Sequence, residues 1–144
     1  MKVRVEISSL ATTNQSGVAQ YTRLLSDALL RDDAVQLYNH YFDFLNRQPD
    51  PNIATPSEYV AVNKVVPLRL YAKAQSFGFA PPFDALLPEV DLTIFPNFAT
   101  WPASRSKLRA TAIHDLTYLY YPEVVEEKNL AHLRRVVPRS IRQA

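Results

Sequence analysis

The sequence predicts an α/β domain with a mainly parallel sheet and helices on both faces. Strand-like segments alternate along the chain with helix-like segments, which is typical of parallel strands joined by helical crossovers. Two short apolar runs, residues 90–96 (VDLTIFP) and 108–113 (LRATAI), end in polar residues. Open α/β sheets place their ligands at strand ends of this kind. We therefore expect a Rossmann-like sheet whose functional groups lie at the carboxyl ends of its strands.

The first strand is predicted over residues 2–7, and a polar loop follows over residues 8–16. Gly17 then begins a helix that ends at Arg31. Its apolar residues recur at three- and four-residue spacing, which predicts one stripe facing the core. The predicted stripe comprises Val18, Tyr21, Leu24, Leu25, Ala28 and Leu29.

The middle of the chain predicts two more strands and a helix. Residues 34–39 and 58–63 are the second and third strands, separated by a loop that contains Pro and Asn around residues 46–57. Residues 67–77 form the helix, and Gly78 follows its end, where a left-handed residue is favoured.

A last helix is predicted to start at Tyr121, after the two informative strands. Its acidic residues come first and its basic residues last, an order that complements the helix dipole. Pro138 is expected to kink this helix or split it in two. The sequence stops at Ala144 within this helix, so we expect residues 1–144 to be one domain that is cut before a second one.

Bulk composition limits the class of protein. With 144 residues, 47% of them apolar, the chain can form one domain with its own core. It has no Cys and no apolar run near the roughly 18 residues of a membrane span, and it does not begin like a signal peptide. We expect a cytoplasmic location. A net charge of +2 gives no reason to expect nucleic acid as a partner.

Several common chemistries lack their motifs in this sequence. The first strand is followed by one glycine instead of the G-x-G-x-x-G of dinucleotide-binding enzymes, and no P-loop is present. The chain contains no Asp-x-Asp pair, and His40, His114 and His132 lack the spacing of a zinc motif. We therefore predict no metal and no cofactor.

Four blocks of sequence, in this order, carry a family resemblance: SGVAQYTRLLSDALL, DLTIFPNFATWP, AIHDLTYLYYPE and LRRVVPRSIRQA. Together they resemble the N-terminal half of bacterial retaining glycosyltransferases of the GT-B architecture, which have two Rossmann-like domains (glycosyltransferase group 1, mannosyltransferase-like). The resemblance implies transfer of a sugar from a nucleotide-sugar donor to a glycan or lipid-linked acceptor in polysaccharide or lipopolysaccharide synthesis. It also implies that residues 1–144 are the acceptor-side domain, inactive without the donor-binding second domain.

Ser16 and Gly17 are candidate substrate-binding residues because they stand at a helix N-terminus after the first strand. Such an end carries free N–H groups and a partial positive charge that suit a leaving diphosphate. Gly17 lets the backbone approach a bulky ligand, and Ser16 either caps the helix or faces the ligand. An ordinary helix start remains the alternative. The resembling family commonly has a second glycine and an Arg where this chain has Ala19 and Gln20.

The strand ends supply three more candidates. His114 follows a strand directly and can donate a hydrogen bond to a sugar hydroxyl or to developing charge. In the resembling family its position lines the cleft between the domains, so His114 is the candidate catalytic residue, chiefly as a binding and positioning group. Asp115 orients His114 or holds the loop, and Asn97 contacts the acceptor or forms a turn. Nearby aromatic residues form either a ligand-contacting wall or ordinary packing: Phe98, Trp101, Tyr118, Tyr120 and Tyr121.

Two questions stay open at the level of sequence. The basic residues Lys64, Arg69, Lys73, Arg105, Lys107 and Arg109 either form a face that rests on anionic lipid at the inner side of a membrane or are ordinary solvated charges, with Asp84 and Glu89 interspersed. The rival function is a non-enzymatic α/β module that binds a small molecule or a protein partner.

Overall fold

In the computed structural model, which describes residues 1–12, 16–46 and 50–144, five strands form one parallel sheet. The strand order is β3-β2-β1-β4-β5, and each neighbouring pair is parallel. The strands are β1 (Lys2–Glu6), β2 (Gln36–Phe42), β3 (Val60–Asn63), β4 (Val90–Phe95) and β5 (Ser106–Thr111). The predicted fold class is confirmed, with strand ends that differ by a few residues from those predicted. Residues 13–15 and 47–49, which belong to two predicted loops, lie outside the described residues.

Helices cover both faces of the sheet. They are α1 (Gly17–Leu30), α2 (Leu68–Phe77), the short α3 (Thr117–Tyr120) and α4 (Glu127–Gln143). On one face Val3 and Val5 of β1 pack with Ala19 of α1. On the other face Phe95 of β4 packs with Tyr71 of α2. Within the described residues no helix is long and apolar enough to cross a membrane.

The buried face of α1 differs from the predicted stripe. The helix buries Ala19, Thr22 and Ser26, while Tyr21 and Leu24 are 42% and 61% exposed. Of the predicted stripe, Val18, Leu25 and Leu29 are half-buried and Leu29 packs against the core, so the prediction is partly correct and the buried face is rotated from it. Small side chains at the contact let the helix backbone approach the sheet closely, and a hydrophobic pattern alone does not reveal that preference.

The end of α2 confirms the prediction for Gly78. Gly78 has a φ of 85°, and its N–H donates to the Gln75 carbonyl at 2.9 Å. The Phe79 N–H donates to the Ala74 carbonyl at 3.0 Å, which completes a Schellman motif. Arg139 of α4 donates a further hydrogen bond to the Gln75 carbonyl, at 2.6 Å. The carbonyl end of α2 is therefore tied to the last helix.

The last helical region is divided differently from the prediction. Residues 117–124 form α3 and a short 3-10 helix, and α4 begins only at Glu127. Pro138 lies inside α4, which continues to Gln143, so of the two predicted alternatives, a kink or a split, the split does not occur. The ring of Pro138 is exposed, and buried Val137 and Ser140 hold the helix on either side of it.

A buried ion pair lies on the α2 face of the sheet. Arg4 and Asp84 are 1% and 0% exposed, with 3.2 Å between Nη1 and Oδ2. Asp84 also accepts hydrogen bonds from the backbone N–H groups of Ser104 and Arg105. Asp84 is therefore not interspersed among the basic residues at the surface, as the sequence suggested, and only Glu89 of the two acidic residues named there is exposed. Its carboxylate is enclosed because it joins β1 to the segment that leads into β5.

Candidate functional site

A cavity of about 680 Å³ lies at the carboxyl edge of the sheet, between β1 and β4. Here the strand order changes direction, because β2 lies on one side of β1 and β4 on the other. Open α/β sheets bind ligands outside this point. We call this cavity the switch cleft; its lining includes Glu6, Ser8, Asn97, Asp115, Glu126 and His132.

Glu6 lies at the end of β1 and is 6% exposed. Its Oε1 accepts a hydrogen bond from the Ser8 N–H at 2.9 Å. Burial removes water from the carboxylate and raises the pKa of Glu6 to about 7, against the smaller opposing effect of the Ser8 hydrogen bonds. Glu6 can therefore exchange a proton near neutral pH, which is a property of groups that bind or move protons in catalysis.

The opposite wall of the switch cleft comes from α2 and α4. Gln75 of α2 donates to the Thr100 carbonyl at 2.9 Å, and His132 lies on α4. Desolvation lowers the pKa of His132, and the nearby charge of Arg135 lowers it further. The cleft thus combines a carboxyl group that is easily protonated with an imidazole that is easily deprotonated.

Sequence reasoning missed both Glu6 and His132 as site residues. For Glu6 a signal exists, because a carboxylate stands inside the apolar first strand at the end that faces the ligand edge. For His132 the sequence carries no comparable signal. Its place depends on how α4 packs across the edge of the sheet.

Asn97 and Asp115 both line the switch cleft, as the strand-end argument predicts. Asp115 Oδ1 accepts a hydrogen bond from the Thr117 N–H at 2.9 Å and so shapes the turn into α3. Asn97 is exposed and precedes Phe98, whose φ of 50° is unusual for a residue other than glycine. Each residue therefore has a structural role in a turn and also faces the cleft.

His114 lies outside the described lining of the switch cleft. Its Nε2 is 2.7 Å from the Pro96 carbonyl oxygen. The ring makes edge-on contacts with Tyr21 of α1 at 5.0 Å and with Phe98 at 5.3 Å, both between ring centroids. His114 is exposed, so the structure holds it at the sheet edge beside α1 with one side open.

Neither Ser16 nor Gly17 is among the residues that line the switch cleft. Ser16 Oγ accepts a hydrogen bond from the Ala19 N–H at 3.2 Å, so Ser16 caps α1. Apart from its chain neighbours and the backbone of its own helix, no described atom lies within 4 Å of the position that a Cβ would take at Gly17. Tyr21 follows Gly17 by one helical turn and contacts His114, so these residues form a second group beside the cleft.

The aromatic residues separate into two sets. Trp101 is 7% exposed and packs with Phe42, Tyr71 and Phe95 while also lining the switch cleft. Tyr118 is buried and lines the cleft, as does the partly exposed Phe98. Tyr120 and Tyr121 are 72% and 61% exposed. Of the five aromatic residues considered from the sequence, only Phe98, Trp101 and Tyr118 therefore line the cleft.

The charged groups outside the cleft are partly paired. Arg105 lies 3.3 Å from Glu89, and Lys107 lies 2.6 Å from Asp91, in each case between nitrogen and carboxylate oxygen. Across the described ranges, no group of three His, Asp or Glu side chains is placed to hold a metal ion.

Comparison of the chain with protein-family models, curated proteins and solved structures finds no match. A proposal for its function therefore has to start from the geometry of the cleft and the resemblance in the sequence.

Proposed function

We propose that this chain is the acceptor-side domain of a cytoplasmic retaining glycosyltransferase. It would bind the glycan or lipid-linked acceptor, while the donor-binding groups come from a second domain. The observation that carries the proposal is the switch cleft, where Glu6, Asn97 and Asp115 come together from the ends of three strands. Carboxylate and amide groups are suitable partners for sugar hydroxyls, because they accept and donate hydrogen bonds in fixed directions.

In the proposed reaction the bond between the donor sugar and its diphosphate breaks, and an acceptor hydroxyl oxygen forms the new bond to the same sugar carbon. The hydroxyl proton passes to the departing diphosphate, as the resemblance implies. Glu6 and Asn97 would orient the acceptor hydroxyl, and Tyr118 would contact the apolar side of the sugar ring. Proton transfer to the diphosphate requires no dedicated protein base.

The second group, beside the cleft, would face the donor. The N-terminal end of α1 at Ser16 and Gly17 offers a partial positive charge to the diphosphate. Among the described residues, no atom from outside the helix lies within 4 Å of the Cβ position at Gly17, which suits the approach of a bulky ligand. His114, held by the Pro96 carbonyl and by Tyr21, would position the donor at this end of the helix.

Peripheral contact with a membrane belongs to the same proposal. Lys64, Arg69 and Lys73 are exposed near α2, where they would meet anionic lipid. The pairing of Arg105 and Lys107 with acidic neighbours argues against their taking part.

The alternative is a non-enzymatic module that uses the switch cleft to bind another small molecule. The two functions are distinguished by titrating the isotopically labelled chain with neutral oligosaccharides and following the NMR signals of Asn97, Asp115 and Tyr118. We expect saturable shifts with an acceptor-type saccharide. We also expect no sugar transfer when the nucleotide sugars UDP-glucose or GDP-mannose are added to the 144-residue chain with that saccharide.

The matched variants are Glu6→Gln, at the floor of the cleft, and Glu58→Gln, on the exposed surface in the 3-10 turn just before β3. Above pH 7, where Glu6 is ionised, we expect at least a tenfold loss of saccharide affinity in the first, since one oriented charged hydrogen bond is lost, and none in the second. Shifts that occur only with non-sugar ligands would favour the alternative module. Transfer by the isolated chain would show that the second domain is not needed.

A further inference from the structure

We propose that the chain has a second ligand site, which binds a single-chain amphiphile: an aliphatic tail with one neutral hydroxyl group. The site is an apolar groove of about 470 Å³ between the end of β3, helix α2 and residues 81–87. We call it the His40 groove; its lining includes His40, Val65, Leu70, Ala74, Phe83 and Leu86. This inference goes beyond the proposed sugar transfer and does not depend on it.

The His40 groove and the switch cleft are separate. No described residue lines both the groove and the cleft, and α2 lies between them. This helix turns Leu70 and Ala74 toward the groove and Ala72 and Gln75 toward the cleft. A ligand in the groove would therefore not occupy the position proposed for the acceptor.

The rim of the His40 groove exposes large aliphatic side chains to water. Val65, Leu70 and Leu86 are 81%, 59% and 97% exposed. Covering them with a hydrocarbon tail would remove apolar surface from water, which is favourable. The tail should be aliphatic and slender, because most of the groove wall consists of Val, Leu, Ala and Pro side chains.

His40 gives the groove a specific polar group. The residue is 1% exposed, and its ring packs against Phe42 at 5.1 Å and Phe83 at 4.8 Å, between centroids. Within the described part of the chain, Nδ1 of His40 has no hydrogen-bond partner. By contrast, the hydroxyl of Tyr71, another groove residue, donates to the Pro81 carbonyl at 2.6 Å. Unpaired buried polar atoms are rare in folded proteins, and this one belongs to a residue that lines an apolar groove, so we assign it to the polar group of a ligand.

The missing group is best supplied by a hydroxyl. His40 is neutral, because desolvation lowers its pKa to about 3, with a further lowering by Arg4. A neutral imidazole has one N–H and one bare nitrogen, and a hydroxyl both donates and accepts, so it satisfies Nδ1 in either tautomer. A carboxylate or an ammonium group placed against the buried His40 ring, between Phe42 and Phe83, would have to lose its hydration, which disfavours a charged ligand head there. The charged lining residue Lys64 is exposed to solvent.

The experiment uses the whole chain with 1-octanol as the probe and 1-chlorooctane as an analogue of the same length that lacks the hydroxyl. Binding is followed by methyl NMR shifts of Val65, Leu70 and Leu86. The matched variants are Leu70→Glu in the groove and Leu24→Glu on α1, since Leu70 and Leu24 are similarly exposed at 59% and 61%. We expect saturable octanol binding in the wild type and in Leu24→Glu, and at least tenfold weaker binding in Leu70→Glu.

The hydroxyl contact is tested separately. His40→Phe keeps an aromatic ring against Phe42 and Phe83, and we expect it to reduce octanol affinity about tenfold, as loss of one hydrogen bond does, without changing chlorooctane affinity. If that variant does not fold, the ¹⁵N shift of His40 Nδ1 in the wild type serves instead, and octanol should move it. The proposal is overturned if octanol gives no saturable shifts, or if it binds without changing the Nδ1 signal or responding to His40→Phe.

Discussion

The carboxyl group of Glu6 is buried at the floor of the switch cleft, where little water remains to solvate its charge. His40, on the neighbouring strand, is buried as a neutral imidazole. The two groups titrate in opposite senses. The pKa of His40 is lower in the folded protein than in the unfolded chain, so the unfolded chain binds a proton first. The free energy of unfolding therefore falls as the pH falls from 6.5 toward about 3. The pKa of Glu6 is higher in the folded protein than in the unfolded chain, so folding favours the protonated carboxyl. The free energy of unfolding therefore falls as the pH rises from 4.5 to about 7.

The first prediction concerns Glu6→Gln. The wild-type carboxyl changes from its ordinary pKa of 4.5 to about 7 on folding, so its charge costs roughly 3 kcal/mol of the free energy of unfolding once the pH exceeds 7. Gln keeps the shape and does not titrate. We expect the variant to gain stability relative to the wild type by about that amount between pH 4.5 and 7, measured by urea unfolding at pH values across this range.

His40 is present in both Glu6→Gln and the wild type, so its titration cancels in the difference between their free energies of unfolding. The exposed Glu58→Gln variant serves as the control and should follow the wild type at every pH. A difference between Glu6→Gln and wild type that does not change with pH would mean that Glu6 is not perturbed by burial.

At the scale of elements, both helices of the first half depend on residues at their ends. Ser16 caps the start of α1, and Gly78 ends α2 in a left-handed conformation. The chain has only two glycines, and they occupy opposite kinds of position. Gly78 has a positive φ that side chains disfavour, whereas a Cβ at Gly17 would have no described neighbour outside its own helix within 4 Å.

The second prediction compares alanine at these two glycines. Gly78→Ala should lower the free energy of unfolding by about 1 kcal/mol, because alanine is strained at a φ of 85°. Gly17→Ala should leave it unchanged or raise it slightly, because alanine favours the helix and its Cβ meets no described atom from outside the helix within 4 Å. Thermal and urea unfolding measure both.

Equal destabilisation by the two substitutions would contradict this account of the glycines. The Gly17→Ala variant also has a use for the proposed function. A variant that keeps its stability but loses activity in a glycosyltransferase containing the second domain would support a donor role for the N-terminal end of α1.

At the scale of the whole molecule, the Arg4–Asp84 pair joins parts of the chain that are far apart in sequence. Arg4 also donates to the Pro88 carbonyl and lies over the Phe83 ring. Asp84 accepts from the segment that enters β5, so one carboxylate holds the first strand, the residues before β4 and the start of β5 together. The pair lies within the core of the fold.

The third prediction is that Asp84→Asn strongly destabilises the protein. Removing one partner leaves the Arg4 charge buried without compensation, which typically costs about 3–5 kcal/mol. The control is Glu89→Gln, which removes the carboxylate of the exposed Arg105–Glu89 pair and should change stability little, because solvent screens that interaction. Urea unfolding of both variants and the wild type gives the comparison.

If Asp84→Asn and Glu89→Gln had similar small effects, the buried pair would not be organising the core. The double variant Arg4→Met with Asp84→Leu extends the test. Replacing both charges by apolar groups should recover part of the loss, since no uncompensated charge remains. The recovery should be incomplete, because the N–H groups of Ser104 and Arg105 lose their acceptor.

The sequence by itself determined the alternation of strands and helices, the end of α2 at Gly78 and the positions of Asn97 and Asp115 at strand ends. These features depend on local chemistry: apolar periodicity, the freedom of glycine at positive φ, and the polar residues that follow a buried strand. Each of them can be recognised within a short window of the chain.

Only the tertiary structure decided which side of α1 is buried, that Asp84 pairs with Arg4, and that Glu6 and His132 line the same cleft. The reason is that these outcomes depend on contacts between distant segments, such as Arg4 with Asp84 or Thr100 with Ser140 of α4. A side chain's burial, and with it the pKa of Glu6 and the unpaired nitrogen of His40, is a property of everything packed around it. No single segment of the sequence contains that information.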